Sequence, residues 1–140
     1  MLTAKVNSKE YKMITNGDIQ PKLLASLIGR SSANIILPKA IKDYRVLILS
    51  MEYKFNTDAA PESSIASNMC FPALMSLSTS STNRTRNFLR VGWSEYNPNN
   101  KTVLYWEGSC TYNGEKTLTL NATSNGAAYN ELKLFLYGIE

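Results

Sequence analysis

A group of aromatic and amide side chains between residues 93 and 113 is the part of the sequence best suited to bind a ligand. Flat apolar rings can stack on the face of a sugar, and amide groups can exchange hydrogen bonds with its hydroxyls. We predict a ligand-binding surface formed by the following side chains: Trp93, Tyr96, Asn97, Asn99, Asn100, Trp106, Tyr112 and Asn113.

Burial in the core is the alternative role for the two tryptophans of this group. Trp93 and Trp106 each alternate in phase with neighbouring aliphatic residues, as residues on the buried face of a strand do. Tyr96 and Tyr112 are next to turn sequences and are better candidates for exposure. We therefore expect the ligand to contact the loops at the strand ends rather than a sheet face, because a rigid scaffold leaves such loops free to vary. The tryptophans then support the site or join it.

Catalysis has few candidate groups in this chain. Histidine, the commonest general base and metal ligand, is absent. Zinc would depend on two distant cysteines and carboxylates, and no glycine-rich phosphate loop is present. Glu95 and Glu107, near the ends of adjacent predicted strands, could form the acid pair of a glycosidase, although glutamates on the solvent face of strands are ordinary. We expect no enzyme activity, no cofactor and no metal.

Charge and hydrophobicity exclude two further classes of partner. The net charge is +4 over 140 residues, but basic residues do not cluster: residues 1–54 hold nine Lys or Arg against four acids, and residues 55–140 hold six against seven. A nucleic-acid site would need a stripe of positive charge, so we expect no nucleic-acid partner. No run of about 18 apolar residues exists, so we expect no membrane insertion.

The two cysteines, Cys70 and Cys110, leave two alternatives. They could pair across strands, or they could stay free as small buried apolar side chains, which is the favoured interpretation for a chain of this size. Ser, Thr and Asn number 15, 11 and 14, and such a neutral polar surface is typical of extracellular and particle-surface β proteins.

Hydrophobic periodicity predicts an all-β fold. Apolar runs, many of them alternating with period two, are separated by turn sequences such as Asn113-Gly114, which is favoured in tight hairpins. Strands at such spacing predict an antiparallel β-sandwich or jelly roll, with polar loops at 56–68 and 78–87. The predicted strands lie within residues 32–38, 44–55, 69–78, 88–96, 101–112, 116–122 and 130–140.

The first 30 residues form a separate predicted segment, an amino-terminal arm for attachment or oligomerisation that precedes a sandwich domain at 31–140. An apolar patch with helical spacing, flanked by Pro21 and Gly29, predicts a short helix. Apolar residues outside the sandwich pattern also predict an oligomer interface, with capping of the same domain as the alternative. The patch consists of Leu23, Leu24, Leu27 and Ile28.

The order of these features resembles a known family. A strand ended by Pro38, the segment "KDYRVLILSMEY", a polar loop, "MCFPALMSL", paired antiparallel strands and a terminal "LKLFLYGIE" are similar to the C-terminal head domains of bacteriophage tail fibres and related virion fibre proteins. The resemblance covers about residues 31–140. It implies a β-sandwich completed by its last strand, at the distal end of a trimeric fibre on the virion surface.

The expected function is therefore that of a non-enzymatic bacteriophage structural protein. It would form a homotrimer, contact other virion proteins and bind a glycan or protein of the bacterial surface. A carbohydrate-binding module or lectin of non-viral origin is the first alternative, and a glycan-cleaving fibre domain is the second.

Overall fold

The computed structural model describes residues 3–6, 9–12, 19–54, 63–79, 87–125 and 131–140. Strands dominate these residues, and short 3-10 helices occur at Ile41–Asp43 and Pro72–Leu74. The strands are β1 (Thr3–Val6), β2 (Lys9–Lys12), β3 (Lys22–Ile28), β4 (Ser31–Ile36), β5 (Val46–Lys54), β6 (Ser63–Cys70), β7 (Asn87–Asn97), β8 (Thr102–Tyr112), β9 (Thr117–Ser124) and β10 (Glu131–Ile139).

Two four-stranded antiparallel sheets pack face to face as a β-sandwich. Sheet I has the strand order β3-β10-β5-β6, and sheet II has the order β4-β9-β8-β7. Strands β1 and β2 pair only with each other in the described sheets. The predicted all-β antiparallel sandwich is confirmed.

The core lies between the inner faces of the sheets and follows the period-two pattern. Leu132, Leu134 and Leu136 of β10 are buried, and Leu118 and Leu120 of β9 face them from sheet II. Successive side chains of a strand point to opposite faces, so every second residue enters the core. The carboxyl-terminal strand is central in sheet I, between β3 and β5, as its alternating leucines predict.

The predicted helix after Pro21 is wrong, because these residues form strand β3. A bulge opposite the step from Leu136 to Tyr137 inserts Leu24 between the paired residues Leu23 and Ala25. One extra residue in a strand shifts the alternation and produces helix-like spacing of apolar side chains. Gly29, with φ of +73°, turns the chain into β4 instead of ending a helix.

Strand β3 is part of the sandwich, although the prediction assigned it to the amino-terminal segment. It pairs with β10 and is joined by two residues to β4, which belongs to sheet II, so the predicted boundary at residues 30 and 31 falls at a connection between the two sheets. Leu27 is buried and Leu24 packs against the core, whereas Leu23 and Ile28 are exposed on the outer face of sheet I. The predicted interface residues are therefore divided between the interior and the surface.

Strand β6 lies earlier in the chain than predicted. It covers Ser63–Cys70, part of which the prediction assigned to the polar loop at 56–68, and a 3-10 helix at Pro72–Leu74 replaces the predicted strand. The rest of that loop, residues 56–62, and most of the 78–87 loop lie outside the described residues. Three serines and one asparagine among the eight residues of β6 give its sequence the composition of a loop.

Candidate ligand-binding site

The β7–β8 hairpin extends beyond the rest of sheet II at one end of the sandwich. Strand β9 ends at Ser124, opposite Trp106, so residues 102–105 of β8 continue past it. Asn125 continues the pairing with its side chain: its Oδ1 accepts from the Tyr105 N–H at 2.7 Å, and its Nδ2 donates to the Val103 carbonyl at 2.7 Å. The hairpin tip is therefore held by the Asn125 side-chain amide together with a backbone bond from the Asn125 N–H to the Tyr105 carbonyl at 3.3 Å.

An exposed aromatic patch covers the outer face of this hairpin. Tyr96 pairs directly with Val103, and Ser94 pairs with Tyr105, so the two tyrosines occupy diagonal positions about 7–8 Å apart on one face. Tyr96 is 58% exposed and Tyr105 is 40% exposed, and Val103 between them is also exposed. We call Tyr96, Val103 and Tyr105 the hairpin patch.

The turn beside the hairpin patch carries three of the predicted asparagines. Asn97 Oδ1 accepts from the Asn99 N–H at 3.0 Å, and Asn100 Oδ1 accepts from the Thr102 N–H at 3.2 Å and hydroxyl at 2.5 Å. These bonds shape the turn, in which Lys101 has φ of +55°. Asn99 and Asn100 are exposed, so their amide groups border the patch at the tip.

A cluster of three stacked rings lies on the inner side of the same hairpin. The ring centroid of Tyr53, in sheet I, lies 5.3 Å from that of Trp93 and 5.0 Å from that of Trp106. The two tryptophans are direct cross-strand partners, and their ring centroids lie 5.1 Å apart. Trp106 is 1% exposed, so it supports the hairpin from within, whereas Trp93 is 36% exposed. The cluster fixes the hairpin against the opposite sheet.

Tyr112 and Asn113 lie at the opposite end of the sandwich from the hairpin tip. Ten residue steps of β8 separate Thr102 from Tyr112, which is about 34 Å for antiparallel strands. Tyr112 is half-buried against the core, and Asn113 Nδ2 donates to the hydroxyl of Thr119. The structure therefore divides the predicted ligand-binding residues into two groups that cannot contact one small ligand together.

A cleft of about 460 Å³ adjoins Tyr112 at that second end. Its wall includes Arg90, whose Nη2 donates to Glu107 Oε2 at 2.6 Å. The Glu107 carboxylate, a predicted candidate acid, is thus held in an ion pair with a guanidinium group. The cleft is lined by Met75, Ser76, Leu77, Ser78, Asn87, Phe88, Arg90 and Tyr112.

The cysteines are free, as the favoured sequence interpretation predicted. Both pack in or against the core, and burial raises the pKa of Cys70 to about 11 and raises the pKa of Cys110 further. Thiols with such pKa values stay protonated at neutral pH and are poor nucleophiles.

Sequence reasoning missed Val103, Tyr105 and Asn125. Val103 and Tyr105 alternate with Leu104 and Trp106, which face inward, and this alternation could have indicated that Val103 and Tyr105 are exposed. Nothing in the sequence indicated that Asn125 bonds to β8, because that contact depends on where β9 ends.

Within the described ranges, no group of three or more His, Cys, Asp and Glu residues could hold a metal ion. The same part of the chain has no helix long and apolar enough to cross a bilayer. Comparison with known proteins gives no match to any family model, curated protein or solved structure. The function must therefore be argued from the surface itself.

Proposed function

We propose that this chain binds a carbohydrate of a bacterial surface through the hairpin patch and the adjoining turn, without cleaving it. The exposure of Tyr96 and Tyr105 at diagonal positions of one hairpin face is the observation that carries the proposal. Two rings about 7–8 Å apart can stack on successive sugar units or on two faces of one unit. Exposed Asn99 and Asn100 supply amide groups for the hydroxyls.

The supporting framework suits this role. The Tyr53–Trp93–Trp106 cluster and the Asn125 bonds hold the hairpin on the sandwich. Rings held in place before binding lose little conformational entropy on contact with a ligand.

The biological setting that we propose is the head domain of a bacteriophage fibre, located on the virion surface. The resemblance of residues 31–140 to such domains supports it, and so does the neutral polar composition. The domain would act as a homotrimer, in contact with other virion proteins, to attach the particle to its host.

The test is binding of Tyr96→Ala and Tyr105→Ala variants to host cells or to an array of bacterial glycans. Each variant should lose about 5- to 30-fold in affinity, since a stacked ring contributes on the order of 1–2 kcal/mol, and should keep its melting temperature because both rings are exposed. Phe71→Ala is the matched control, since Phe71 is an exposed ring outside the patch. Undiminished binding by the Tyr96→Ala/Tyr105→Ala double variant would refute the proposed site.

A lectin of non-viral origin would use the same patch. Detection of the chain in purified phage particles distinguishes the two settings. Release of reducing sugar from host polysaccharide would instead indicate the glycan-cleaving alternative.

A further inference from the structure

A row of apolar residues crosses all four strands on the outer face of sheet I. Strand register places Leu23, Tyr137, Ile48 and Met69 side by side in one row from β3 to β6. Leu23 and Met69 are exposed at the edges of this row, and Ile48 and Tyr137 are half-buried at its centre. A continuous exposed apolar row of this kind marks an interaction surface.

The neighbouring rows extend this surface. One further row contains Lys133 and Glu52 at its centre, with Ile28 and Ile65 at its two edges. Phe135 lies in the row between this one and the row of Tyr137. Its ring centroid is 6.3 Å from that of Tyr137. We call this outer surface of sheet I the apolar face.

The corresponding surface of sheet II is polar at its centre. Its central row consists of Asn34, Thr119, Thr111 and Asn87. The Thr119 hydroxyl donates to Asn34 Oδ1 at 2.7 Å, and the Thr111 hydroxyl donates to Asn87 Oδ1 at 2.7 Å. A polar, hydrogen-bonded row is suited to water, and the exposed apolar residues on the outer side of sheet II lie outside this row, at Ile36 and in the hairpin patch.

Strands β5 and β10 carry apolar side chains on both faces, the pattern of strands covered on both sides. Sheet II covers their inner side, where Leu49 and Leu136 are buried. Their outer side carries Ile48, Phe135 and Tyr137, which remain half-buried. A second layer over sheet I would complete the cover.

We propose that the apolar face is where copies of this chain associate. Four strands about 4.8 Å apart and eight residue steps of about 3.3 Å give each face roughly 500 Å² in projection. Two faces together provide roughly 1,000 Å², the area at which specific interfaces begin. Another copy can therefore supply a layer of the required size.

Charge and shape on the apolar face both favour contact with a copy. Lys133 and Glu52 are direct cross-strand neighbours, so the described charged side chains on the face balance and do not repel an identical surface. Ser26, Ser50 and Ser67 lie in the row that also contains Phe135. These serines are smaller than the residues of the two flanking rows, so the face is lower on either side of Phe135, where larger side chains of another copy can pack.

The number of copies, three, rests on the proposed fibre function, whereas the association itself does not. Light scattering without any ligand should give at least twice the 15.6 kDa mass of one chain, and three times that mass if the chain forms the proposed fibre head. The Ile65→Lys/Met69→Lys variant should give the mass of a single chain. Ile65 and Met69 are 73% and 57% exposed within one chain, so the substitutions should not unfold it.

Ile36→Lys is the matched control, because Ile36 is 81% exposed and lies on the outer side of sheet II. It should keep the wild-type mass. A single-chain mass for the wild type at high micromolar concentration would overturn the proposal, and so would an unchanged oligomer in the Ile65→Lys/Met69→Lys variant. Neither result depends on glycan binding, so failure here is distinguishable from failure of the proposed ligand site.

A second measurement needs no charged substitution. Ser67 is exposed on the apolar face and Ser32 is exposed on β4 of sheet II, so Ser67→Cys and Ser32→Cys place a thiol on each surface. The Ser67→Cys thiol should become protected from alkylation as protein concentration rises, while the Ser32→Cys thiol stays reactive. Equal reactivity of the two thiols at every concentration would refute the proposal.

Discussion

The aromatic residues of the β7–β8 hairpin have different roles because successive residues of a strand point to opposite faces of the sheet. Trp106 points inward and stacks on Tyr53, whereas Tyr105, its neighbour in the chain, points outward into the hairpin patch. Residue type alone could not separate these roles, since tryptophan and tyrosine suit both a core and a binding surface. Alternation along the strand does separate them, and it identifies Tyr105 as well as Tyr96.

Gly138 shows how a single residue is constrained by packing in the terminal strand. A Cβ atom there would lie 2.6 Å from Cδ1 of Tyr44 and 2.8 Å from Cδ1 of Leu24. Tyr44 is buried, so its ring cannot move aside without disturbing the core. Gly138→Ala should lower the free energy of unfolding by about 1–3 kcal/mol, the usual cost of overpacking.

Urea denaturation measures this cost, with Gly114→Ala as the control. A Cβ at Gly114 would meet only the Thr117 hydroxyl within 4 Å, a group that can rotate away, so the control should lose less stability. If Gly138→Ala unfolds at the wild-type urea concentration, the proposed steric role of this glycine is wrong.

At the scale of elements, the tip of the hairpin, which extends past the β8–β9 ladder, is held by Asn125. Asn125→Ala removes a bond from the Tyr105 N–H and a bond to the Val103 carbonyl, both 2.7 Å long. The expected loss of stability is about 1–2 kcal/mol, because each exposed hydrogen bond contributes modestly. Amide hydrogen exchange at Tyr105 should accelerate, since its N–H loses its partner.

Asn125→Asp is the informative control for this prediction. It keeps the oxygen that accepts from the Tyr105 N–H and loses only the donor to Val103. Protection of the Tyr105 amide should therefore survive in Asn125→Asp and fall in Asn125→Ala, as measured by NMR. Equal protection in the wild type and Asn125→Ala would show that the side chain does not hold the hairpin.

Elements with clear alternation could be predicted from the sequence, and edge elements could not. Strands β8, β9 and β10 alternate between core and surface, and their predicted positions are confirmed. Strand β3 was misread as a helix because the bulge at Leu24 breaks its alternation, and its pairing with β10 is a long-range contact that no local pattern encodes. Strand β6 was misplaced because an edge strand rich in serine resembles a loop.

At the scale of the whole molecule, the sandwich was predictable but the distribution of its surfaces was not. The predicted ligand residues are close in sequence, yet β8 carries them to opposite ends of the domain. Sequence proximity means spatial proximity within one turn, but not along an extended strand of eleven residues. The apolar face likewise appears only when four distant segments are aligned in register.

The two proposed surfaces together predict that attachment is multivalent. The hairpin patch is formed by β7 and β8 of sheet II, and the apolar face belongs to sheet I, so association through one leaves the other free. Three linked sites bind a surface of repeated glycans more tightly than one site, by about 10²–10⁴-fold when the spacing allows simultaneous contact. The Ile65→Lys/Met69→Lys variant should therefore bind cells far more weakly than the wild type.

The same variant should bind a soluble, single-site glycan with unchanged affinity, because its hairpin patch is intact. Calorimetry with the soluble glycan and adsorption to whole cells make the comparison, and Ile36→Lys should behave as the wild type in both. Equal adsorption of the single-chain variant and the wild type would show that one hairpin patch is sufficient for attachment. A parallel loss in calorimetry would instead place the apolar face within the glycan site itself.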